Sequence, residues 1–415
     1  MSSNTDNFTS KSLTTEEKKL FDRQLRLPGW NQELLKNSSV LIAGIGGLGV
    51  EIAKNLTMAG VGHLILVDMD TIEYSNFNRQ ILFIGAKEGS YKAETAAKKL
   101  KEINPYIRID HYNSALEDLE PIIYQQVDLY ISGLDSINAR IELNRRAVHN
   151  RKPLIDAGTA AYNGHMYCII PYNNACLDCD PLQERDLDEL GACTLVGNPR
   201  KPVHCVLQAT LQFEENFKRE PDVYNDSDLK FLVNDANTRM KKYFPSEEKD
   251  FTADQIVQLV DNHEPTVITI NAVMASLQSQ EVIKMLHNIK SLDHNKMGTL
   301  QLKYIIYNGL TSKFYEIEKP RNPDCALCGK NKIPLFKIKV SNTITLQQLI
   351  SKFAEKKNYK IDLEMPPNVF KIDSSSGMEE LDLNKPIKDL NIRNFETILV
   401  MGFEEEESIY IQFKM

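Results

Sequence analysis

A glycine-rich string near the N-terminus constrains the fold more than any other feature of the sequence. Val40 to Ala43 form a short apolar run, and the string GIGGLG follows at once. An amphipathic pattern comes next, and a second apolar run, HLILV, leads to Asp68. This order of strand, glycine turn, helix, strand and acid is typical of nucleotide-binding βαβ units. The chain is therefore expected to fold around a nucleotide site.

The glycines and the acid have separate tasks in such a unit. Glycines let the backbone turn tightly and the helix pack closely, and the helix N-terminus favours anions. The carboxylate of Asp68 would accept hydrogen bonds from ribose hydroxyls. The predicted nucleotide-binding glycines are Gly44, Gly46, Gly47 and Gly49. Taken alone, the motif favours an NAD or FAD site.

A group of polar residues downstream changes that interpretation. Asp70, Asn76, Asn78, Arg79 and Lys92 lie in a short loop and at the start of the next helical pattern. A hydride-transferring enzyme has no need for such a group, whereas a triphosphate must have its charge neutralised while a nucleophile approaches. The alternative is a solvated loop in which these residues only form turns. Their order and spacing favour a triphosphate site.

Composition narrows the class of protein. The chain has 415 residues, enough for two to three domains, and 42% of them are hydrophobic. The net charge of −8 argues against nucleic acid as the main partner, and no apolar run reaches membrane-spanning length. Seven cysteines, four of them in CxxC pairs, fit a reducing compartment. We therefore expect a cytoplasmic protein that uses neither a membrane nor nucleic acid.

Beyond Lys92 the pattern alternates between helices and strands. A helical stretch is followed by three strand-like runs, IRIDHY, VDLYISGL and KPLIDAGT, the second of which ends next to Asp135. This alternation predicts an α/β protein with a mostly parallel, doubly wound sheet. Ligands of such sheets bind at the carboxyl ends of the strands, so Asp68 and Asp135 are expected to share one pocket.

Four cysteines form two widely separated pairs. Cys176 and Cys179 are one CxxC pair, and Cys325 and Cys328 are the other. Four thiolates presented by two tight turns make a closed tetrahedral Zn²⁺ site, which is structural because it has no open position. A redox CxxC and two unrelated pairs are the alternatives, but a redox motif should open a helix beside a βαβ unit, and neither pair does. Structural zinc is favoured.

The string DMDTIEYSNFNRQILF resembles the signature loop of the adenylyltransferases that activate ubiquitin-like proteins and sulfur carriers. The resemblance implies ATP and Mg²⁺ as cofactors. It implies that Arg79 and Lys92 neutralise phosphate charge and that Asp135 helps to hold Mg²⁺. It further implies that Ser114 and Ala115 reach the adenine mainly through their backbone.

Two other positions bear on the resemblance. The portion FDRQLRL resembles a family motif whose arginine crosses a dimer interface to the partner's ATP, and that residue would be Arg23. In heterodimeric members the arginine belongs to one subunit and the complete ATP site to the other, whereas this chain has both. The resemblance therefore implies a homodimer. The family usually has asparagine after the magnesium-binding aspartate, and this chain has Ser136 there.

The segment GACTLVGNPRKPVHC is similar to the catalytic-cysteine stretch of the SUMO-activating catalytic subunit. By that match Cys193 forms a thioester and Cys205 does not. Arg200, Lys201 and His204 follow in the sequence, and basic neighbours favour the nucleophilic thiolate. Two ordinary half-buried cysteines are the alternative on composition alone.

The resemblance also divides the chain into segments. The last segment has a β–turn–β or β–α start, a helix capped by Thr345 and later strands, which suggests a ubiquitin-like β-grasp domain that recruits a conjugating enzyme. The expected order is a disordered tail at 1–12, an adenylation domain at 13–180 and 266–331, an inserted small helical catalytic-cysteine domain at 181–265, and the ubiquitin-like domain at 332–415.

The implied activity is that of a ubiquitin-like modifier activating enzyme. ATP would adenylate the C-terminal carboxylate of a modifier that ends in diglycine, and Cys193 would then take the modifier as a thioester for a conjugating enzyme. A sulfur-carrier adenylyltransferase that stops at the acyl-adenylate or thiocarboxylate remains an alternative, as does a non-enzymatic scaffold. The intact Arg79, Lys92 and Asp135 argue against the scaffold.

Overall fold

The architecture is taken from a computed structural model of the chain. It describes residues 11–179, 202–219, 221–245, 249–260, 266–290, 297–330, 332–340, 343–361, 367–373, 377–404 and 408–414. The chain divides by its internal contacts into two compact units, Met1–Cys179 with Val267–Met415, and Asp180–Thr266. Each unit has its own hydrophobic core.

Helices and strands alternate through most of the chain. The helices are α1 (Thr15–Leu20), α2 (Asp22–Leu25), α3 (Gln32–Lys36), α4 (Gly47–Ala59), α5 (Lys92–Ile103), α6 (Pro121–Gln125), α7 (Ile137–Asn150), α8 (Val203–Phe217), α9 (Asp226–Tyr243), α10 (Ala253–Val260), α11 (Ile268–Lys290) and α12 (Leu346–Lys357). The strands are β1 (Ser39–Ala43), β2 (His63–Val67), β3 (Arg108–Tyr112), β4 (Leu129–Ser132), β5 (Leu154–Ala160), β6 (Asn163–Ile169), β7 (Tyr304–Asn308), β8 (Lys313–Ile317), β9 (Leu335–Lys339), β10 (Asn368–Asp373), β11 (Gly377–Glu380), β12 (Thr397–Met401) and β13 (Ile409–Lys414). Among the helices in the described ranges, none is long and apolar enough to cross a membrane.

The larger unit contains an eight-stranded sheet in the order β3-β2-β1-β4-β5-β6-β7-β8. The first five strands in this order run parallel, and β6, β7 and β8 are added antiparallel. The chain proceeds from β1 to β2 and β3 on one side and later to β4 and β5 on the other. The sheet therefore has its topological switch point between β1 and β4, which is where open α/β sheets bind ligands. The predicted α/β class with a mostly parallel sheet is confirmed.

Helices cover both faces of this sheet, and alternation along the strands explains why. In β1, Val40 and Ile42 belong to one core and Leu41 and Ala43 to the other, and all four are completely buried. One face packs against α4, α5 and α11, and the other against α6 and α7. Truncation of a side chain such as Ile42 to alanine would cost about 2–5 kcal/mol of stability.

The strand that precedes Asp135 is shorter than its apolar run indicates. β4 ends at Ser132, and the backbone N–H of Gly133 donates to the carbonyl of Ala43 at 2.8 Å before the chain turns. A Cβ at Gly133 would lie 3.1 Å from the carbonyl oxygen of Gly44. The two glycines therefore allow the backbone segments that follow β1 and β4 to lie close together at the switch point. Asp135 therefore lies in the loop beyond the strand and not at its end.

The C-terminal part of the larger unit forms a second, five-stranded sheet in the order β11-β10-β12-β13-β9. β9 and β13 pair in parallel, and the other pairs are antiparallel. This segment has the β–α start of the two predicted, because β9 leads directly to α12. Thr345 caps α12 in a capping box with Gln348, as expected, and the helix packs against the sheet around Phe353 and Ile411.

The smaller unit is helical in its described part. Helices α8, α9 and α10 pack around a compact apolar core that includes Val206, Phe213 and Leu232. The carboxylate of Asp228 accepts two hydrogen bonds from Arg219, at 2.6 and 2.9 Å, and one from the backbone N–H of Asp222. These bonds fix the loop between α8 and α9.

Candidate active site and metal centre

The glycine turn lies at the switch point of the large sheet. Gly44 has a φ of +83°, and a Cβ there would stand 2.6 Å from the carbonyl oxygen of Gly133. A Cβ at Gly49 would overlap the carbonyl of Gly44, and one at Gly47 would overlap the side chain of Asn271. Glycine is therefore required at Gly44 and Gly49, where a Cβ would meet backbone atoms, whereas at Gly47 it would meet only the end of the Asn271 side chain.

Gly46 differs from the other glycines of the turn. Its φ of −83° is open to any residue, and a Cβ there would meet no atom within 4 Å. Gly46 is the N-cap of the 13-residue helix α4, where the free backbone N–H groups attract anions. No contact with the protein therefore requires a glycine at this position. The space beside it is open for a ligand.

Asp68 directly follows β2 and is bonded to the glycine turn. Its Oδ2 accepts a hydrogen bond from the backbone N–H of Ile45 at 2.6 Å, and its Oδ1 accepts one from Asp70 at 2.8 Å. Burial raises the pKa of the Asp68 carboxyl, although the positive charge of Lys92 and the two amide bonds oppose that rise. The carboxylate is thus held in place beside the turn.

Lys92 connects the two acids to the next helix. Its Nζ lies 2.8 Å from Oδ2 of Asp70, and its backbone N–H donates to the carbonyl of Asp70 at 3.0 Å. The Lys92 side chain is 12% exposed. Asp68, Asp70 and Lys92 are therefore brought together beside the glycine turn, where a cation would face the phosphates of a nucleotide.

The loop after Asp70 uses its polar side chains partly on itself. Asn76 is buried, and its Oδ1 accepts from the backbone N–H of Glu73 at 3.0 Å, which closes a short 3₁₀ turn. Arg79 donates from Nη1 to the carbonyl of Ser75 at 2.8 Å and to Oδ1 of the exposed Asn78 at 3.1 Å. Asn76 and Asn78 thus shape the loop that carries the Arg79 guanidinium.

Asp135 is exposed in the loop between β4 and α7. The Ser136 hydroxyl accepts from the backbone N–H of Ala139 at 3.5 Å and caps α7, so the serine at this departure from the family pattern has a structural task. An exposed carboxylate beside a phosphate site is a suitable ligand for Mg²⁺, which is usually held by one or two carboxylates and the substrate phosphates. The Asp135 carboxylate is therefore of the chemical type that would hold this ion.

Sequence reasoning missed Arg140, which supports the Asp135 loop. Its Nε and Nη2 both donate to the carbonyl of Leu134, at 2.9 and 2.7 Å, and its Nη1 lies 3.5 Å from the buried carboxylate of Asp156. The Arg140 charge lowers the pKa of Asp156 against the effect of burial. A cation near a helix N-terminus opposes the helix dipole. An arginine near the N-terminus of α7, where the helix dipole disfavours a cation, was the sequence signal that could have identified Arg140.

The remaining nucleotide-site predictions occupy two places. Ser114 and Ala115 follow β3 and are half-buried, and the adjacent Tyr112 carbonyl accepts from the backbone N–H of Asp68 at 3.1 Å. They therefore lie at the same sheet edge as Asp68. Arg23 is exposed on α2, and within the described residues its side chain makes no hydrogen bond or ion pair. The larger unit does not bring Arg23 into contact with the rest of the predicted set.

The four cysteines of the CxxC pairs lie together in the hydrophobic core on the face of the large sheet that packs against α6 and α7. Sγ–Sγ distances are 3.9 Å for Cys176–Cys179, 3.8 Å for Cys176–Cys325 and 3.3 Å for Cys179–Cys328, and all four sulfurs lie within 4.8 Å of one another. Four sulfurs about 2.3 Å from a tetrahedral Zn²⁺ are about 3.8 Å apart. The thiols are free and buried, and hydrogen bonds from Cys176 and Cys325 lower the pKa of Cys328. The quartet fits zinc.

Three cysteines, Cys168, Cys193 and Cys205, lie outside the quartet in the sequence. Cys193 lies outside the described residues, as do Arg200 and Lys201. Cys205 is fully buried in α8, and burial raises the pKa of its thiol. Cys168 is buried in β6 with a raised pKa for the same reason. Both therefore have the properties of core thiols and not of a nucleophile.

Comparison with known proteins assigns the family. The ThiF family model matches residues 21–327, which include the glycine turn, the Asp68 loop and the first cysteine pair. The chain belongs to the ThiF family. The NEDD8-activating enzyme E1 catalytic subunit of Saccharomyces cerevisiae is 32% identical over 304 residues, covering 70% of this chain and 98% of the relative. The protein of the same name from Arabidopsis thaliana is 28% identical over 401 residues, covering 90% and 84%.

A SUMO-activating relative also matches, over a shorter stretch. SUMO-activating enzyme subunit 2 of Dictyostelium discoideum is 32% identical over 190 residues, covering 45% of this chain and 28% of the relative. The prediction of an activating enzyme is confirmed at the level of the family. The specific likeness to SUMO-type subunits stays a prediction.

Proposed function

We propose that this ThiF-family chain activates a ubiquitin-like modifier at the expense of ATP. The observation that carries the proposal is the joint placement of Asp68, Asp70 and Lys92 beside an open glycine turn at the switch point. The ribose would bond to the fixed Asp68 carboxylate, and the phosphates would lie over the α4 N-terminus at Gly46. Arg79 and Lys92 would neutralise phosphate charge.

The first chemical step needs position and charge and no general base. The C-terminal carboxylate of the modifier is ionised at neutral pH and attacks the α-phosphorus of ATP. A carboxylate–phosphorus bond forms, the bond from that phosphorus to the bridging oxygen breaks, and pyrophosphate leaves. Asp135 would hold Mg²⁺, which would neutralise charge on the phosphates when bound. The product is an acyl-adenylate.

The second step is assigned to Cys193, as the sequence match implies. Its thiolate attacks the acyl carbon, AMP leaves, and the modifier is carried as a thioester. The two cysteines that could compete, Cys168 and Cys205, are buried with raised thiol pKa values, which supports the choice. Residues 332–415, with their mixed sheet and capped helix, are proposed as a ubiquitin-like domain that docks a conjugating enzyme.

The modifier is proposed to be of the NEDD8 class. The names of relatives from Saccharomyces cerevisiae and Arabidopsis thaliana support this class over SUMO, since their matches cover more of the chain. The experiment incubates the purified chain with Mg-ATP and NEDD8, SUMO or ubiquitin, followed by a non-reducing gel. A thiol-sensitive adduct that forms with NEDD8 and disappears in Cys193→Ala is expected. ATP–pyrophosphate exchange without any adduct would support the sulfur-carrier alternative.

A two-fold homodimer is proposed because Arg23 and the complete ATP-site set occur in one chain. Two inactive variants, Arg23→Ala and Lys92→Ala, are mixed and dissociated, then reassociated. If Arg23 acts in the partner's site, mixed dimers hold one intact site, and about a quarter of wild-type exchange activity returns. Because the relatives are named catalytic subunits, a heterodimer is the alternative. It predicts a monomeric mass for the purified chain and no recovery on mixing.

A further inference from the structure

The segment between β3 and α6 has three consecutive backbone carbonyls that accept hydrogen bonds from side chains. The hydroxyl of Tyr124 donates to the carbonyl of Leu116 at 2.7 Å. The guanidinium of Arg393 donates from Nη2 to the carbonyl of Glu117 at 2.8 Å and from Nη1 to that of Asp118 at 2.9 Å. Hydrogen bonds to a charged donor are about twice as strong as neutral ones. The backbone of this segment is therefore held by the nearby Tyr124 and by Arg393, which is far from it in sequence.

Arg393 is itself anchored in the C-terminal sheet. It lies just before β12, its side chain is 22% exposed, and its Nη2 is 3.4 Å from Oε1 of Glu396. The other oxygen of that buried carboxylate accepts from the Arg393 backbone N–H at 2.6 Å, and Lys371 lies 3.2 Å from Oε1. The guanidinium thus has a fixed direction, toward the β3–α6 segment.

We propose that Arg393 is a positioning residue that couples the C-terminal sheet to the adenine end of the nucleotide site. Ser114 and Ala115 directly precede the clamped carbonyls, and Leu116 is buried in the sheet core. The inference rests on the proposed function and on the adenine contact that the sequence resemblance implies for the backbone of Ser114 and Ala115. Because coupling between sites is reciprocal, ATP also strengthens the contact of Arg393 with the segment.

Other contacts keep the C-terminal sheet in place when Arg393 is changed. The ring of His149 on α7 lies 4.9 Å from the ring of Tyr410 on β13, between centroids. Gln412 donates to Asn150 at 3.3 Å. Loss of Arg393 therefore removes the hydrogen bonds to the carbonyls of Glu117 and Asp118 while these contacts persist. The effect on adenine is separable from loss of the fold.

The test uses the full chain with Arg393→Met, Arg393→Lys and the control Lys360→Met. Lys360 is on the same C-terminal domain, where it pairs with Glu404 at 3.4 Å and is 77% exposed. Calorimetry measures binding of the α,β-methylene analogues of ATP and GTP in the presence of Mg²⁺. Arg393→Met is expected to raise the Kd of the adenine analogue about tenfold. Arg393→Lys should rescue it in part, and Lys360→Met should leave it unchanged.

The two analogues distinguish positioning from a general structural effect. The guanine analogue has the same phosphates, so its Kd should change little and the preference for adenine should fall in Arg393→Met. Faster hydrogen exchange in residues 113–120 should accompany the change. Equal weakening of both analogues, or no weakening, overturns the proposal. If the wild-type chain binds neither analogue, the proposed function itself has failed.

Discussion

The carboxylate of Asp68 and the backbone of Ile45 are joined by a hydrogen bond of 2.6 Å between Oδ2 and the amide nitrogen. The bond ties the end of β2 to the glycine turn after β1. The bond occupies one lone pair of Oδ2 and fixes the orientation of the Asp68 carboxylate before any ligand binds. A ribose hydroxyl would thus meet a preorganised acceptor, which lowers the entropic cost of binding.

Asp68→Asn should separate stability from nucleotide affinity. Burial raises the pKa of Asp68 above its value in the unfolded chain, so its ionised form at pH 7 lowers the free energy of unfolding relative to that below about pH 3.9. The neutral amide removes the buried charge, but its single oxygen can accept from only one of the Ile45 and Asp70 amides, so the Tm without ATP is expected to fall slightly while ATP affinity falls about tenfold or more. Thermal unfolding with and without Mg-ATP measures both. A variant that keeps the ATP-induced rise in Tm contradicts the ribose role.

Gly46→Ala and Gly44→Ala should fail for different reasons. At Gly44 the positive φ and the nearby carbonyl of Gly133 make alanine cost about 1–3 kcal/mol of stability. At Gly46 a methyl group meets no protein atom, so the Tm should stay within about 2 °C of wild type. Its methyl would instead enter the phosphate path and raise the KM for ATP in pyrophosphate exchange. Normal exchange in a folded Gly46→Ala variant would place the phosphates elsewhere.

Cys328→Ser should remove a bound metal. The quartet predicts one zinc per chain by elemental analysis, and the variant should lose most of it and several degrees of Tm, because structural zinc contributes directly to folding. Cys168→Ala is the matched control, since it removes a buried thiol from the same sheet outside the quartet. Equal zinc content in wild type and Cys328→Ser would show that the four thiols do not hold the ion.

His149 should make the larger unit sensitive to acid. Burial, with the charges of Arg146 and Arg145, lowers the pKa of His149 to about 3. In the unfolded chain the histidine has a pKa of about 6.5 and becomes protonated below that pH, whereas in the folded chain it stays neutral down to about pH 3. The contribution of His149 to the free energy of unfolding is therefore complete above pH 6.5 and falls toward pH 3 by up to about 1.4 kcal/mol per pH unit. Urea unfolding from pH 7.5 to 4.5 should show a shallower loss in His149→Phe. The exposed His111, changed to glutamine, is the control, and an unchanged slope in both would refute the assignment.

Sequence patterns anticipated the parts of the fold that depend on local order. Apolar runs, a glycine turn and acids after strands indicated the parallel sheet and the place of Asp68. They did not indicate that β6 to β8 run antiparallel. The reason is the connection from β5 to β6, which is only Ala161 and Tyr162. A parallel partner would need a crossover of a dozen residues or more.

The candidate site was anticipated where its residues are neighbours in sequence. The sequence placed Asp70 and Lys92 in one group, and in the structure the two side chains form an ion pair. Arg140 and Arg393 were missed because they hold their loops through backbone carbonyls, which every residue has. The contact of Arg393 with Glu117 joins positions 276 residues apart. No spacing rule identifies a backbone acceptor at that distance.

The two cysteine pairs also bear on how such a chain can change over time. Cys176 and Cys325 are 149 residues apart, and the unit Asp180–Thr266 is inserted between them in the sequence. The closure entropy of such an inserted segment grows only with the logarithm of its length, so a twofold longer one costs about 0.6 kcal/mol more. Because the two cysteine pairs lie together at the ends of this segment, its length can change by insertion and deletion while the strand pairing of the large sheet stays the same.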